Sequence, residues 1–347
     1  MSIQVEDYFE KSTFAKMKAF ADKQETPFVL IDTAMISQAY DDLRAGFEFA
    51  KVYYAVKANP AVEIIDLLKE KGSSFDIASI YELDKVMGRG VGPDRISYGN
   101  TIKKSKDIRY FYDKGVRLYA TDSEADLRNI AKAAPGSKVY VRILTEGSTT
   151  ADWPLSRKFG CQTDMAMDLL ILARDLGLVP YGISFHVGSQ QRDISVWDAA
   201  IAKVKVIFER LKEEDGIELK LINMGGGFPA NYITRTNSLE TYAEEIIRFL
   251  KEDFGDDLPE IILEPGRSLI ANAGILVSEV VLVARKSRTA VERWVYTDVG
   301  KFSGLIETMD EAIKFPIWTE KKGEVEEVVI AGPTCDSADI MYENYKY

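Results

Sequence analysis

Gly182-Ile183-Ser184-Phe185-His186-Val187-Gly188 is a short β-branched and aromatic run that ends on glycine. After it come Ile194, Trp197, Ile201, Val204, Ile207, Phe208 and Leu211, spaced as one apolar stripe along a helix. Lys220-Leu221-Ile222-Asn223-Met224-Gly225 then returns to the strand pattern. A strand, a helix and a second strand in this order make a βαβ unit. Outward from it the alternation repeats. Strands are expected at 52–58, 74–79, 96–99, 116–121, 138–144, 182–188, 220–225 and 260–266. Helices are expected near 61–71, 79–88, 104–114, 123–133, 163–177, 193–214 and 238–253. About eight strands with interleaved helices is the count of a (β/α)8 TIM barrel. An open doubly wound sheet would usually carry fewer. After Arg267 the pattern changes to short strands with little helix, at 275–285, 294–299, 314–319 and 326–331. These read as a C-terminal all-β domain, joined by an N-terminal strand at Phe28-Val29-Leu30-Ile31-Asp32. The expected domains are therefore the barrel at 34–268 and a β-domain from 1–33 and 269–347.

The 347 residues contain 46% apolar and 29% charged side chains, which is ordinary globular composition. Lys plus Arg number 44 against 55 Asp plus Glu, for a net charge of -11. An acidic surface argues against nucleic acid as a partner. Two cysteines and one histidine leave no disulfide framework and no site of the H-E-x-x-H kind, so no metal is expected. No apolar run reaches the roughly 20 residues that span a bilayer. The first residues lack a basic region and an apolar run, so no secretory signal is expected. A soluble, cytoplasmic, acidic protein without a membrane partner is the expectation.

The unusual residues fall at the C-terminal ends of the expected barrel strands: Lys57, Asp76, Arg142, His186, the run Gly225-Gly226-Gly227, and Glu264. Barrel enzymes build their sites at that end. Each residue alone has an equally good structural reading; their coincidence on one rim is what points to chemistry. Lys57 can snorkel to the rim or, if buried, become a neutral nucleophilic amine. The triple glycine can be a tight turn or a cradle of backbone N–H groups for an anion. It occupies the loop after the seventh strand, and Glu264-Pro265-Gly266-Arg267 the loop after the eighth, where barrels recurrently bind phosphate. Glu264 can be a solvated carboxylate or can hold a proton on a heteroaromatic nitrogen. His186 can be a core histidine or can stack on a flat cofactor.

These motifs, with Tyr54-Ala55-Val56-Lys57-Ala58-Asn59-Pro60, Phe75-Asp76-Ile77-Ala78-Ser79 and Glu82, and Gly332-Pro333-Thr334-Cys335-Asp336, resemble a known family. It is that of the pyridoxal-phosphate-dependent decarboxylases of the alanine-racemase-like fold. Within it the chain looks most like ornithine and lysine decarboxylases. The resemblance implies pyridoxal 5'-phosphate as cofactor, with Lys57 bonding covalently to it, Glu264 pairing with its ring nitrogen and His186 stacking on its ring. Gly225, Gly226, Gly227, Gly266, Arg267 and Ser189 would hold its phosphate, and Asp76, Arg142 and Glu82 would surround it. It also implies a head-to-tail homodimer in which Cys335 and Asp336 enter the neighbouring subunit's site, Cys335 as a catalytic group and Asp336 on the substrate. Glu307 and Asp310 are further candidates for a substrate ammonium, and Lys158 and Asp339 match a pair that bridges subunits. The implied reaction is decarboxylation of L-ornithine to putrescine, in polyamine biosynthesis, or of L-lysine to cadaverine. The alternatives are another basic substrate (diaminopimelate, arginine or carboxynorspermidine), a racemase, or a non-catalytic regulatory homologue. A Cys-Glu pair is usual in diaminopimelate decarboxylases, so Cys335-Asp336 favours ornithine or lysine. Family members continue beyond the point matching Tyr347, so the β-domain is expected to be incomplete at its C-terminus.

Overall fold

The computed structural model describes residues 3–145, 150–154 and 158–347. Helix α1 (Lys11–Ala21), strand β1 (Phe28–Ile31) and helix α2 (Thr33–Gly46) lead into a closed barrel of eight parallel strands. The barrel strands are β2 (Ala50–Ala55), β3 (Ser74–Ile77), β4 (Ile96–Tyr98), β5 (Leu118–Thr121), β6 (Lys138–Arg142), β7 (Val179–Ser184), β8 (Leu221–Asn223) and β9 (Glu260–Leu263). Between them run α3 (Val62–Glu70), α4 (Ile80–Gly88), α5 (Ser105–Asp113), α6 (Glu124–Ala133), α7 (Thr163–Asp175), α8 (Ser195–Asp215) and α9 (Leu239–Phe254). A short α10 (Arg267–Ile270) follows β9. Several strands stop earlier than their apolar runs do. Lys57, His186 and Glu264 therefore lie just past strand ends, where the backbone leaves the ladder.

The stripe read in α8 is the buried face: Trp197, Ile201, Val204, Ile207 and Leu211 are all within it. The helix stops at Gly216, whose φ of 66° suits a residue without a Cβ. On the strands, the period of two sorts side chains to the two faces. Tyr53, Ala120, Tyr140, Leu221 and Ile262 form one packed cluster inside the barrel. Two residues further along the same strands, on the same parity, come Ala55, Asp122, Arg142, Asn223 and Glu264. The register sets Ala55 beside Asp76, Arg142 beside Ser184, and Ser184 beside Asn223. One ring of polar side chains thus crowns an apolar and tyrosine-rich floor.

The chain divides into two compact units, 33–229 with 237–271 and 1–32 with 230–236 and 272–347. In the second unit β1 pairs antiparallel with β10 (Gly274–Val277). Strands β11 (Val280–Ala284), β12 (Arg293–Thr297), β13 (Glu327–Ala331) and β14 (Ile340–Lys346) form a mixed sheet in that order, with β12 and β13 parallel. Val295, Val328, Ile330, Met341, Tyr342 and Tyr345 are its core. This unit also carries α1.

Two sequence expectations are corrected here. The segment 314–319 is not a strand. It contains Pro316, and its backbone is satisfied by side chains rather than by a ladder. The Phe315 and Ile317 N–H groups donate to the Tyr342 and Tyr345 hydroxyls at 2.9 and 3.0 Å. Those hydroxyls donate in turn to the Ile313 and Phe315 carbonyls. Second, residues 230–236 belong with the β unit, not the barrel. Tyr232 packs edge-on against Phe315 at 5.1 Å, and its carbonyl accepts from the Tyr8 hydroxyl.

Candidate active site

Lys57 lies in a single 3-10 turn, Val56–Ala58, directly after β2. Its side chain is exposed. The burial that the sequence argument invoked for a neutral amine is therefore not present. Across the rim, Asp76 points inward from β3. Burial, with the Glu264 charge beside it, pushes its carboxyl well above the usual range, against the pull of Lys57. Its Oδ1 is buried and, among the described residues, has no hydrogen-bond partner. A Cβ on Gly99 would lie 1.9 Å from that oxygen, so glycine is what makes room for the carboxylate.

Arg142 ends β6. Burial lowers its pKa from the ordinary value, while Glu264 and Asp122 favour its charge. Its guanidinium lies over the Phe159 ring at 5.1 Å. His186 follows β7. Burial, reinforced by the Arg142 and Lys57 charges, takes its pKa well below 6.5, so the imidazole is neutral. Its Nδ1 accepts from the Gly188 N–H at 3.1 Å, which leaves the proton on Nε2 and fixes the ring.

The glycine run explains itself at the level of strand packing. A Cβ on Gly225 would meet the Phe185 carbonyl at 2.4 Å, and one on Gly226 the Glu264 carbonyl at 2.6 Å. On Gly227 it would meet the Gly188 carbonyl at 2.6 Å. Gly225 and Gly227 also hold positive φ, 64° and 104°. The loop can thus run flush between the ends of β7 and β9. Beside it, Arg267 Nη2 and Nε donate to the Ser189 hydroxyl at 2.9 and 3.2 Å. Gly266 caps α10 ahead of Arg267, and a Cβ there would meet the Ala58 side chain at 2.9 Å. Five strand ends (β2, β3, β6, β8, β9) and the loop after β7 therefore converge on one polar rim.

Asn223 was missed in the sequence reading. It ends β8 fully buried, donating from Nδ2 to Glu264 Oε1 at 2.5 Å and accepting at Oδ1 from the Gly225 N–H at 2.9 Å. Strand parity was the available signal: it stands two residues before Gly225 and two after interior Leu221. Glu82 lies in the first turn of α4, where its charge also acts on Asp76. Its Oε2 accepts from the Ala78 N–H at 2.7 Å and from the Ser79 hydroxyl, and Ser79 Oγ accepts from the Glu82 N–H. Ser79 thus caps α4 while Glu82 reaches back past it, and together they hold the turn from β3 into α4.

The remaining candidates belong to loops of the β unit. Cys335 is exposed, as is Asp336, whose Oδ1 accepts from the Ala338 N–H. Asp310 is exposed and adopts φ of 53°. Glu307 opens the same irregular 3-10 segment, Ile306–Glu311. Asp339 is only 2% exposed; its carboxylate accepts from the Lys301 and Thr334 N–H groups and the Thr334 hydroxyl. Within its own chain it thereby organises the loop that carries Cys335. Lys158, in the barrel unit, has its ammonium over the Phe159 ring at 5.0 Å. Among the described residues no cluster of His, Cys, Asp and Glu could hold a metal ion. None of their helices is long and apolar enough to cross a membrane.

Comparison with known proteins bears on this rim directly. The family model for the pyridoxal-dependent decarboxylases, pyridoxal binding domain, matches residues 33–271. The chain belongs to this family. A lysine/ornithine decarboxylase of Selenomonas ruminantium is 32% identical over 331 residues, 95% of this chain and 82% of that protein. The solved lysine/ornithine decarboxylase of Vibrio vulnificus, complexed with cadaverine, is 27% identical with a TM-score of 0.87, covering 98% of this chain and 89% of that one. Antizyme inhibitor 2 of Xenopus laevis is 31% identical over 340 residues, 90% of this chain and 72% of that protein. The cofactor of the family is pyridoxal phosphate, and the rim suits it. The flush glycine loop carries no side chain that would hold an anion off its backbone, and Ser189 with Arg267 stands beside it. The orphaned, buried Asp76 Oδ1 faces the same rim.

Proposed function

We propose that this protein decarboxylates a basic amino acid, L-ornithine to putrescine and also L-lysine to cadaverine, on pyridoxal phosphate. The observation that carries the reading is the convergence of Lys57, Asp76, Arg142, His186, Gly225–Gly227 and Glu264 on one barrel rim, in a chain whose relatives include lysine/ornithine decarboxylases. When bound, pyridoxal phosphate supplies an electron sink for the carbon–carboxylate bond that breaks.

The chain's own residues would hold and tune that group. Lys57 is its covalent anchor. Its exposure at a strand end leaves the amine accessible to an aldehyde. Gly225, Gly226 and Gly227, with Ser189, Gly266 and Arg267, bind the phosphate. Glu264 keeps a proton at the ring nitrogen. Neutral His186 lies against the ring without adding charge. Asp76 and Arg142 set the field around the anchor. Cys335 and Asp336 act from a second copy in a head-to-tail dimer, Cys335 returning a proton to the carbon that loses carbon dioxide and Asp336 binding the distal ammonium. Glu307 and Asp310 add negative charge for a diamino acid, and Lys158 pairs with Asp339 across the two subunits. The site acts in the cytoplasm, within polyamine synthesis.

A second reading, a regulatory homologue without turnover, is motivated by the likeness to antizyme inhibitor 2. The presence of Lys57, the glycine run, Glu264 and Cys335 together supports turnover instead. The test is direct. The purified protein should be yellow, and borohydride should fix the cofactor to it; Lys57→Ala should abolish that fixation. Carbon dioxide release should be greatest with ornithine or lysine in a panel that includes arginine and diaminopimelate. A coloured protein that releases nothing from any of them would leave the regulatory reading standing.

A further inference from the structure

Asn223 is a polar rim side chain fully buried at the end of β8. Its Oδ1 accepts from the Gly225 N–H at 2.9 Å and its Nδ2 donates to Glu264 Oε1 at 2.5 Å. Its backbone carbonyl is spent separately, on the Phe185 N–H at 3.0 Å. The amide can be placed only one way. Turned over, it would set an NH2 against the Gly225 N–H and an oxygen against the Glu264 carboxylate, two repulsions in a buried site. An aliphatic side chain would serve neither partner, and an ionised carboxylate would serve only Gly225.

We infer that Asn223 is a positioning residue that ties the glycine loop and Glu264 into one unit, so that the phosphate cradle and the acid for the ring nitrogen are held in register by a single amide. The inference rests on the roles proposed above for Glu264 and the glycine loop. Two features make this more than a buried hydrogen bond. Engaging Oε1 fixes the plane of the Glu264 carboxylate and leaves its second oxygen, Oε2, for another partner. Gly225, at positive φ, has no side chain of its own to hold the turn, so the Asn223 acceptor supplies that restraint.

The two ends of the amide can be separated experimentally in the pyridoxal-phosphate-loaded full chain. Asn223→Ala removes both bonds; Asn223→Asp keeps the acceptor for Gly225 and loses the donor to Glu264 once the new carboxyl ionises. For N223A, the dissociation constant of pyridoxal phosphate should rise on the order of tenfold, as expected for one lost hydrogen bond. Its bound visible band should acquire a different pH dependence, and kcat should fall with KM little changed. For N223D, pyridoxal phosphate affinity should stay within about threefold of the parent, less than one hydrogen bond's worth, while kcat and the pH dependence of the band still change. Parent-like band and kcat in N223D would overturn the inference. So would a loss of cofactor affinity in N223D equal to that in N223A, or a drop in thermal midpoint alone in both. If N223A does not fold, N223D with the band as readout decides. A parent with a normal visible band but no carbon dioxide release would defeat the proposed reaction and leave this comparison of bands and affinities readable.

Discussion

Strand β9 opens on Glu260, and Glu264 follows just past its end, four residues on and on the same face. They are treated in opposite ways. Glu260 accepts from Lys51 Nζ and from the Tyr181 hydroxyl, both at 2.8 Å. Against the upward push of burial, those two bonds hold its pKa below the ordinary value, helped by the Lys51 and Lys138 charges. Glu264 meets instead a neutral amide. Among the described residues no ion pair within 4.0 Å joins Lys57, Asp76, Arg142 or Glu264 to another side chain. The barrel neutralises charge at the end that only holds the fold together. Past its other end, Glu264 lies near Asp76 and Arg142 in a partly desolvated setting, as expected where pKa values are tuned for chemistry.

The sharpest way to break this contrast is Glu264→Ala. Cofactor binding should persist while kcat falls on the order of 10²–10³-fold, as when a preorganised electrostatic partner is removed; an unchanged kcat in steady-state assays refutes the role. Gly226→Ala tests whether the rim is as tight as the 2.6 Å approach to the Glu264 carbonyl implies. The added methyl should destabilise the protein by about 1–3 kcal/mol in urea unfolding and weaken pyridoxal phosphate binding.

His186 sharpens the comparison through pH. In the unfolded chain its imidazole takes up a proton near pH 6.5, while in the fold it resists protonation well below that. Its contribution to stability is thus fully present above pH 6.5 and is lost as pH falls from there toward the folded value. The slope is at most about 1.4 kcal/mol per pH unit for one proton. Urea midpoints of the cofactor-free protein and of His186→Gln should run parallel above pH 6.5 and converge or cross below it. Parallel curves throughout would show that the histidine is not desolvated. The smallest effect is expected at the opposite end. Glu260→Gln should cost about 0–1 kcal/mol, because Lys51 is largely exposed and its pair is screened. Turnover should stay within about twofold, a ratio worth well under 1 kcal/mol.

Much of the barrel was legible because its two periods are strict. The stripe of α8 and the β-branched runs of β6 and β7 can satisfy their burial in only one way. The rim residues were legible for the same reason: they sit where those runs end. Asn223 escaped notice because an asparagine inside an apolar run carries no chemical oddity until its two partners are seen. The segment 314–319 was misread as a strand because apolar composition does not say where backbone groups find partners, and here tyrosine hydroxyls supply them. Glu82 enters the candidate site through the resemblance alone, while the Ser79-x-x-Glu82 spacing is also that of a helix cap, which the structure forms.

The sequence by itself determined the alternation of strand and helix, the parity of each strand and therefore which residues could face the barrel interior. These follow from local periodicity and need no knowledge of neighbours. Only the tertiary structure decided that Lys57 stands exposed, that Asp76 is desolvated beside Gly99, that His186 is neutral with its proton on Nε2, and that one amide joins Glu264 to the glycine loop. Those properties depend on atoms brought together from strands far apart in the chain. Desolvation and hydrogen bonding are set by that three-dimensional company and not by position along the chain.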